Sequence, residues 1–372
     1  MRVLFYILAL AASVFASPDM SSMANVEACK KCHPIISKEF ESSMHKKSSI
    51  YDDKVHKAIW DKHPAKAKGN YKCAKCHTPN AKTDKQKHEG ITCLSCHTIK
   101  SIQKHDKTNK NVYTDKVKTF YSAEAGQENK ILKYKTTTTW YGDKTSTGSA
   151  YHDIDYTNKD YYDGQVCMGC HSHKQNSHKL AVCSTDEAGA KTKKENCITC
   201  HMPQVGGSAT TVRLSQKHAF HGFAGARVAH WKLAKYVDLD FAKSANGFNV
   251  SVENKAPHKL LTHPLRVVQL RTKLVRNNKT TELKTHTFIR VIGRDGKASM
   301  PWVANEVVKD TMIGAKEKRV VKFENKLQSG DQLEVVLGFY VVNPKVLKKL
   351  GLDKEKELKE FTILKSENFT VK

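Results

Sequence analysis

Ten of the eleven cysteines fall into five pairs of one form: Cys29-Lys-Lys-Cys32-His33, Cys73-Ala-Lys-Cys76-His77, Cys93-Leu-Ser-Cys96-His97, Cys167-Met-Gly-Cys170-His171 and Cys197-Ile-Thr-Cys200-His201. Thiols at i and i+3 lie on one side of a helical turn, where they can meet the two vinyl groups of one porphyrin. A histidine directly after the pair is placed to bind the iron from the proximal side. The five pairs read as c-type haem attachment sequences, which implies five covalently bound haems. Zinc sites and disulfides also use Cys-x-x-Cys pairs, but neither requires histidine after every pair. With 19 histidines in 372 residues, chance would place one after all five pairs with a probability of roughly 3 × 10⁻⁷.

Five of the 19 histidines stand in the motifs and fourteen remain. An electron-transfer haem holds a second strong axial ligand, whereas a catalytic haem leaves that position open. Some of the fourteen are therefore expected to be distal ligands. Ile36, Phe40 and Met44 recur with helical period, which predicts a helix from Pro34 to His45. Such a helix carries His45 about 18 Å along its axis from His33, so His45 reaches a neighbouring haem or binds none.

The elements that must position these groups are unevenly spaced. Successive motif histidines are separated by 44, 20, 74 and 30 residues. The 20-residue interval implies that the second and third haems sit close together. Within the 74-residue interval, Thr136 to Thr139, Trp140 and Tyr141 suggest a β excursion or a long loop. From residue 17 to 242 apolar runs are few and Lys, Thr, Asn and His abundant. The expectation is a mainly α and irregular multihaem domain whose apolar core is supplied by porphyrin.

From about residue 245 the period changes to two. Phe248, Val250 and Val252 alternate with Asn249, Ser251 and Glu253, and Val268, Leu270, Thr272 and Leu274 alternate with Gln269, Arg271 and Lys273. Thr287 to Ile292, Val320 to Phe323, Leu333 to Val342 and Phe361 to Leu364 are further strand candidates, and Lys345 to Glu360 reads as one helix. Residues 243–372 are thus expected to form an all-β, sandwich-like domain without haem, serving as support or partner contact.

Arg2, the apolar run Val3 to Val14, and Val14 and Ala16 before a cleavage point have the form of a signal peptide over residues 1–16. Export to the periplasm, or beyond it, is the expectation, with no transmembrane span after cleavage. The formal charge is +26, from 63 basic and 37 acidic residues. Nucleic acid is a poor partner for an exported chain. Ten propionates on five haems would lower the charge to about +16, leaving a surface suited to an acidic redox partner or an anionic membrane, or simply a solvated one.

Around the motifs the chain resembles the multihaem cytochrome c family typified by the tetrahaem electron acceptor of hydroxylamine oxidoreductase in ammonia oxidisers. The resemblance lies in His33-Pro34 and Phe40-Glu-Ser-Ser-Met-His45, in His88-Glu-Gly-Ile-Thr before the third motif, in Tyr141-Gly142 to His152, in Met202-Pro203, in His218-Ala-Phe-His-Gly222 and in Asn254-Lys-Ala-Pro-His258. It implies five distal ligands: His45, His88, His152, His218 and His258. His221 and His230 compete with His218; His56, His63 and His105 compete with His88; and His263 competes with His258. A distal His258 would make the β-domain close over a haem.

Cys183 is the odd cysteine, read either as a packing residue or as an axial or substrate-binding thiolate. Two functions follow from the motifs. One is an electron carrier between respiratory redox partners, such as a membrane quinol-oxidising cytochrome and a terminal reductase. The other is a reductase of nitrite, hydroxylamine, nitric oxide or a sulfur oxyanion with one open iron. Pentahaem nitrite reductases typically carry lysine in place of histidine at the catalytic motif, and all five motifs here end in histidine.

Overall fold

A computed structural model describes residues 26–69, 71–116, 118–185 and 189–372; the expected signal peptide lies outside them. Up to about residue 236 the elements are short. The motif helices Val26–Lys30, Ala74–His77, Cys93–His97, Met168–His171 and Cys197–His201 span one turn or little more. The helix after the first motif begins with Pro34 in its first turn and ends at Ser42, because Ser43 adopts extended backbone (φ −74°, ψ 156°). His45 therefore lies in the following turn and not on the expected helix.

Small β elements are more numerous here than a mainly α and irregular description expects. Ile99–Gln103 pairs with Lys110–Tyr113, His173–Gln175 with Ala181–Ser184, and Gln204–Gly206 with Lys217–Ala219. Thr119–Tyr121, Asp153–Asp155 and Ile131–Leu132 form a three-stranded sheet. The threonine-rich stretch is an antiparallel hairpin, Lys135–Thr138 with Lys144–Thr147.

The regular run of strands begins at Val237, six residues before the expected boundary. β1 (Val237–Ser244), β2 (Gly247–Asn254), β3 (Val267–Arg276), β4 (Lys279–Glu282), β5 (His286–Arg294), β6 (Lys297–Ala298), β7 (Glu306–Asp310), β8 (Lys318–Phe323), β9 (Gln332–Tyr340) and β10 (Thr362–Thr370) make two antiparallel sheets. One has the order β1-β2-β8; the other runs β6-β5-β3-β9-β10, with β4 added to β3 and β7 to β5. Period-two patterning puts Phe248, Val250 and Val252 of β2, and Val268, Leu270 and Leu274 of β3, into one apolar cluster shared with Leu333, Val335, Leu337 and Phe339 of β9. Phe248 and Phe323 are cross-strand partners whose rings stack at 4.7 Å. The expected helix from Lys345 is cut to Pro344–Leu350, because Gly351 turns into left-handed backbone (φ 72°) and ends it.

The two regions are joined. Ala58 of helix Lys54–Asp61 packs among Val342, Leu347 and Leu350. Asn176 donates to the carbonyls of Pro301 (2.7 Å) and Ala304 (2.5 Å), and Arg290 donates to those of Val182 (3.1 Å) and Ala181 (2.9 Å). Among the described residues no helix is long and apolar enough to cross a membrane.

Candidate haem-binding sites

Four of the five motif histidines are aimed in the same way. A neutral imidazole can ligate iron through Nε2 when Nδ1 carries the proton, and a carbonyl placed against Nδ1 selects that tautomer. His33 Nδ1 faces the Ala209 carbonyl at 2.7 Å, His77 that of Ser48 at 3.0 Å, His97 that of Tyr121 at 2.7 Å and His201 that of Ala224 at 2.6 Å. Burial lowers the pKa of His97, His171 and His201, and takes that of His77 to about 4. They are neutral at physiological pH, as metal ligation requires.

Four of the five have a second imidazole facing them. Ring centres are 6.4 Å apart for His33 and His152, 5.9 Å for His171 and His45, 6.3 Å for His97 and His221, and 6.0 Å for His201 and His258. Two imidazoles on opposite sides of one metal, each bonded at about 2.0 Å, have ring centres about 6 Å apart. The separations fit a metal between the rings; they are too long for direct stacking. His221 and His258 also set Nδ1 against carbonyls, Ala219 at 2.6 Å and Lys259 at 2.9 Å. His45 Nδ1 is buried with no hydrogen-bond partner among the described residues. Burial holds the pKa values of His45 and His221 down at about 3, helped by the imidazoles of His171 and His97 respectively.

The fifth histidine differs. The imidazole packed against His77 is that of His56, with ring centres 4.0 Å apart. That is too close for an iron between them. Both rings point Nδ1 at one acceptor, the Ser48 carbonyl, at 3.0 Å for His77 and 2.9 Å for His56. The Tyr71 hydroxyl donates to His56 Nε2 at 3.3 Å. His56 therefore packs beside His77 and does not face it across a metal. His263 is an electrostatic neighbour of His77 and of Arg266. Its Nδ1 accepts the Leu265 N–H at 3.2 Å, which puts its neutral-state proton on Nε2, the tautomer opposite to that of an Nε2 ligand.

Cysteines from different motifs meet. Cys29 is within hydrogen-bonding reach of Cys93, Cys76 of Cys170, and Cys167 of Cys197. Attachment sites one and three, two and four, and four and five are thus neighbours, and Tyr113 lies beside Cys96, Cys76 and Cys170 where they converge. The short spacing between the second and third motifs does not make them the tightest pair. Asn111 donates to Cys170 Sγ at 3.4 Å, and a Cβ on Gly169 would come within 1.6 Å of its Oδ1. The glycine in the fourth motif is what lets Asn111 approach.

Of the distal candidates read from sequence, His45, His152 and His258 stand opposite motif histidines. His218 does not. Its two nitrogens are taken, Nδ1 against the Gly207 carbonyl at 2.9 Å and Nε2 against Glu39 Oε1 at 3.1 Å, which leaves neither nitrogen open to iron. Its competitor His221 faces His97 instead, and Glu39 Oε2 accepts the His221 N–H at 2.8 Å, so one carboxylate ties down the whole strap.

His88 is exposed and stacks on Tyr51 at 4.0 Å. The segment around it serves His45: the Ile91 N–H donates to the His45 carbonyl at 3.0 Å, and Lys46 reaches Glu89 at 3.3 Å. Gly90 has φ +65°, and a Cβ there would lie 2.2 Å from the Lys46 carbonyl oxygen. Cys183, paired across strands with Lys174, is desolvated beside Arg290 and Arg266. Burial takes the Arg266 guanidinium down to about 10.

A family model described as cytochrome c554 and c-prime matches residues 28–98, the stretch that holds the first three motifs. The crystal structure of a penta-heme cytochrome c552 from Thermochromatium tepidum is similar over 93% of this chain and 98% of that chain, with a TM-score of 0.70 and 20% sequence identity. The fold is shared with a penta-haem cytochrome c. No curated protein matches the chain by sequence. Together with the motif geometry, the two matches support a multihaem c-type cytochrome.

Proposed function

We propose that this chain is an exported electron-transfer protein that carries five c-type haems and passes electrons between respiratory redox partners. The observation that carries the reading is the set of four imidazole pairs at 5.9–6.4 Å, each built on a Cys-x-x-Cys-His helix. Haem would supply a one-electron iron couple at each site. The chain supplies the covalent anchors Cys29 and Cys32, Cys73 and Cys76, Cys93 and Cys96, Cys167 and Cys170, and Cys197 and Cys200, with axial imidazoles from His33 and His152, His171 and His45, His97 and His221, and His201 and His258. The contacts between motifs link the sites in the order one, three, four, five, with two joined to four. Intact mass of the purified protein should exceed that of the processed polypeptide by five haems. A mass lower by even one haem would break the reading at the motif left unmodified.

The arrangement at His77 favours a second reading, a reductase activity at the second motif. Among the described residues no imidazole stands across from His77 as one does at the other four sites, and a small ligand could take that side of an iron held there. Carbon monoxide added to the reduced protein should change the spectrum of one haem out of five under this reading; an unchanged spectrum would remove it.

A further inference from the structure

Large exposed apolar side chains are carried on two segments that start beside the first motif. The hairpin Lys135–Thr138 with Lys144–Thr147 is exposed along both strands. At its turn Trp140 is 96% exposed and Tyr141 62%, their rings in edge contact at 5.2 Å. Tyr134 before the hairpin and Tyr151 after it are exposed as well. The arm is rooted at the first motif: Gly148, at its base, lies against the Lys133 carbonyl, and four residues later comes His152, which faces His33.

A second exposed tip grows from the same place. The loop that accepts His33 Nδ1 at Ala209 donates the Thr211 N–H to the Cys32 carbonyl at 2.9 Å, and then presents Val212 (66% exposed) and Leu214 (81%). Between them Arg213 is fixed by two hydrogen bonds to Glu124, at 3.0 and 2.7 Å.

We propose that the hairpin arm and the Val212–Leu214 tip form a docking face for an anionic lipid surface, which seats the first haem site at the membrane. The proposal rests on the reading that the first motif carries haem. Trp and Tyr prefer the bilayer interface, where the ring is apolar and its N–H or O–H is wet. Lys133, Lys135 and Lys144 flank the aromatic tip and take part in no ion pair among the described residues, while Asp143 is the one acid from 133 to 147. Aromatic tips backed by unpaired lysines match an anionic headgroup layer above an apolar one. A narrow ribbon exposed on both faces offers no broad patch of the kind a stable protein interface buries.

The test is co-sedimentation of the haem-loaded protein with phosphatidylcholine vesicles, with and without added phosphatidylglycerol, at low ionic strength. Binding is expected with phosphatidylglycerol alone. The triple variant Lys133→Gln, Lys135→Gln, Lys144→Gln should weaken it by about a hundredfold, and Trp140→Ala with Tyr141→Ala by about tenfold. Trp231→Ala, at an exposed tryptophan elsewhere, should leave it unchanged. All variants should keep the wild-type haem spectrum. No binding to anionic vesicles, or binding that the arm variants do not alter, overturns the proposal. Arm variants that slow reduction by an acidic flavodoxin while the wild type ignores vesicles also overturn it, and give the face to an acidic protein. The intact mass of the same sample separates these outcomes from failure of the haem reading, since the face could bind lipid even if the first motif were unmodified.

Discussion

The two regions of the molecule solve the same problem in different ways. The two apolar clusters among the described residues draw their buried members from residues 237–364, with Ala58 as the exception. Phe248, Val250, Val252, Leu270 and Leu333 are fully buried there, and that burial is enough to hold two sheets together. Among the described residues, the region before residue 237 forms no such cluster of its own. It brings together imidazoles about 6 Å apart and thiols from different motifs. The β region is specified by side-chain volume, the other by directed bonds to a group that polypeptide cannot supply.

The comparison breaks most plainly if haem attachment is prevented. Chain produced without it should show slow amide exchange in residues 237–372 and fast exchange across residues 26–236; protection throughout would mean that the first region folds by itself. Phe248→Ala tests the other side. Removing a ring that is 0% exposed and stacked on Phe323 should cost about 3–5 kcal/mol, seen as a lower denaturant midpoint of the β region.

Gly90→Ala is expected to have a narrower effect. It forces a side chain into φ +65° against the Lys46 carbonyl, at a cost of about 1–3 kcal/mol. Because Gly90 and Ile91 back His45, one low-spin haem should lose its distal ligand in the optical spectrum. His88→Ala, on the same segment, should change no haem, and His221→Ala should convert one haem where His218→Ala converts none.

The smallest effect concerns acid. Burial depresses the pKa values of His45 and His221 from about 6.5 to about 3. The unfolded chain therefore binds protons below pH 6.5 that the native state refuses. Their stabilising contribution is present above about pH 6.5 and is lost progressively as pH falls towards 3. An acid titration of the low-spin spectrum should show this decline across that window, ahead of any loss of circular dichroism from the β region.

Sequence made the chemistry legible because covalent attachment leaves a local signature: two cysteines and a histidine within five residues. The β2 and β3 strands were legible for a similar reason, since alternation at Phe248-Asn249-Val250 is a local pattern with one buried face. Distal partners were harder, because what decides them is tertiary. His218 and His221 are three residues apart, and only Glu39, 179 residues before the first, shows which has a free nitrogen. The His88 segment has the pattern of a ligand segment, yet its working residues are Gly90 and Ile91, which fix His45 through backbone contacts. The arm at Trp140 read as a β excursion or a loop, since threonines set β propensity and not which side chains face solvent.

The central claim, that four sites carry paired imidazoles and the His77 site does not, is tested most directly by electron paramagnetic resonance of the oxidised protein with spin quantification. The account predicts four low-spin ferric centres and one high-spin centre, the latter converted to low spin by added cyanide. Five low-spin centres, or a high-spin signal that cyanide leaves unchanged, would contradict it.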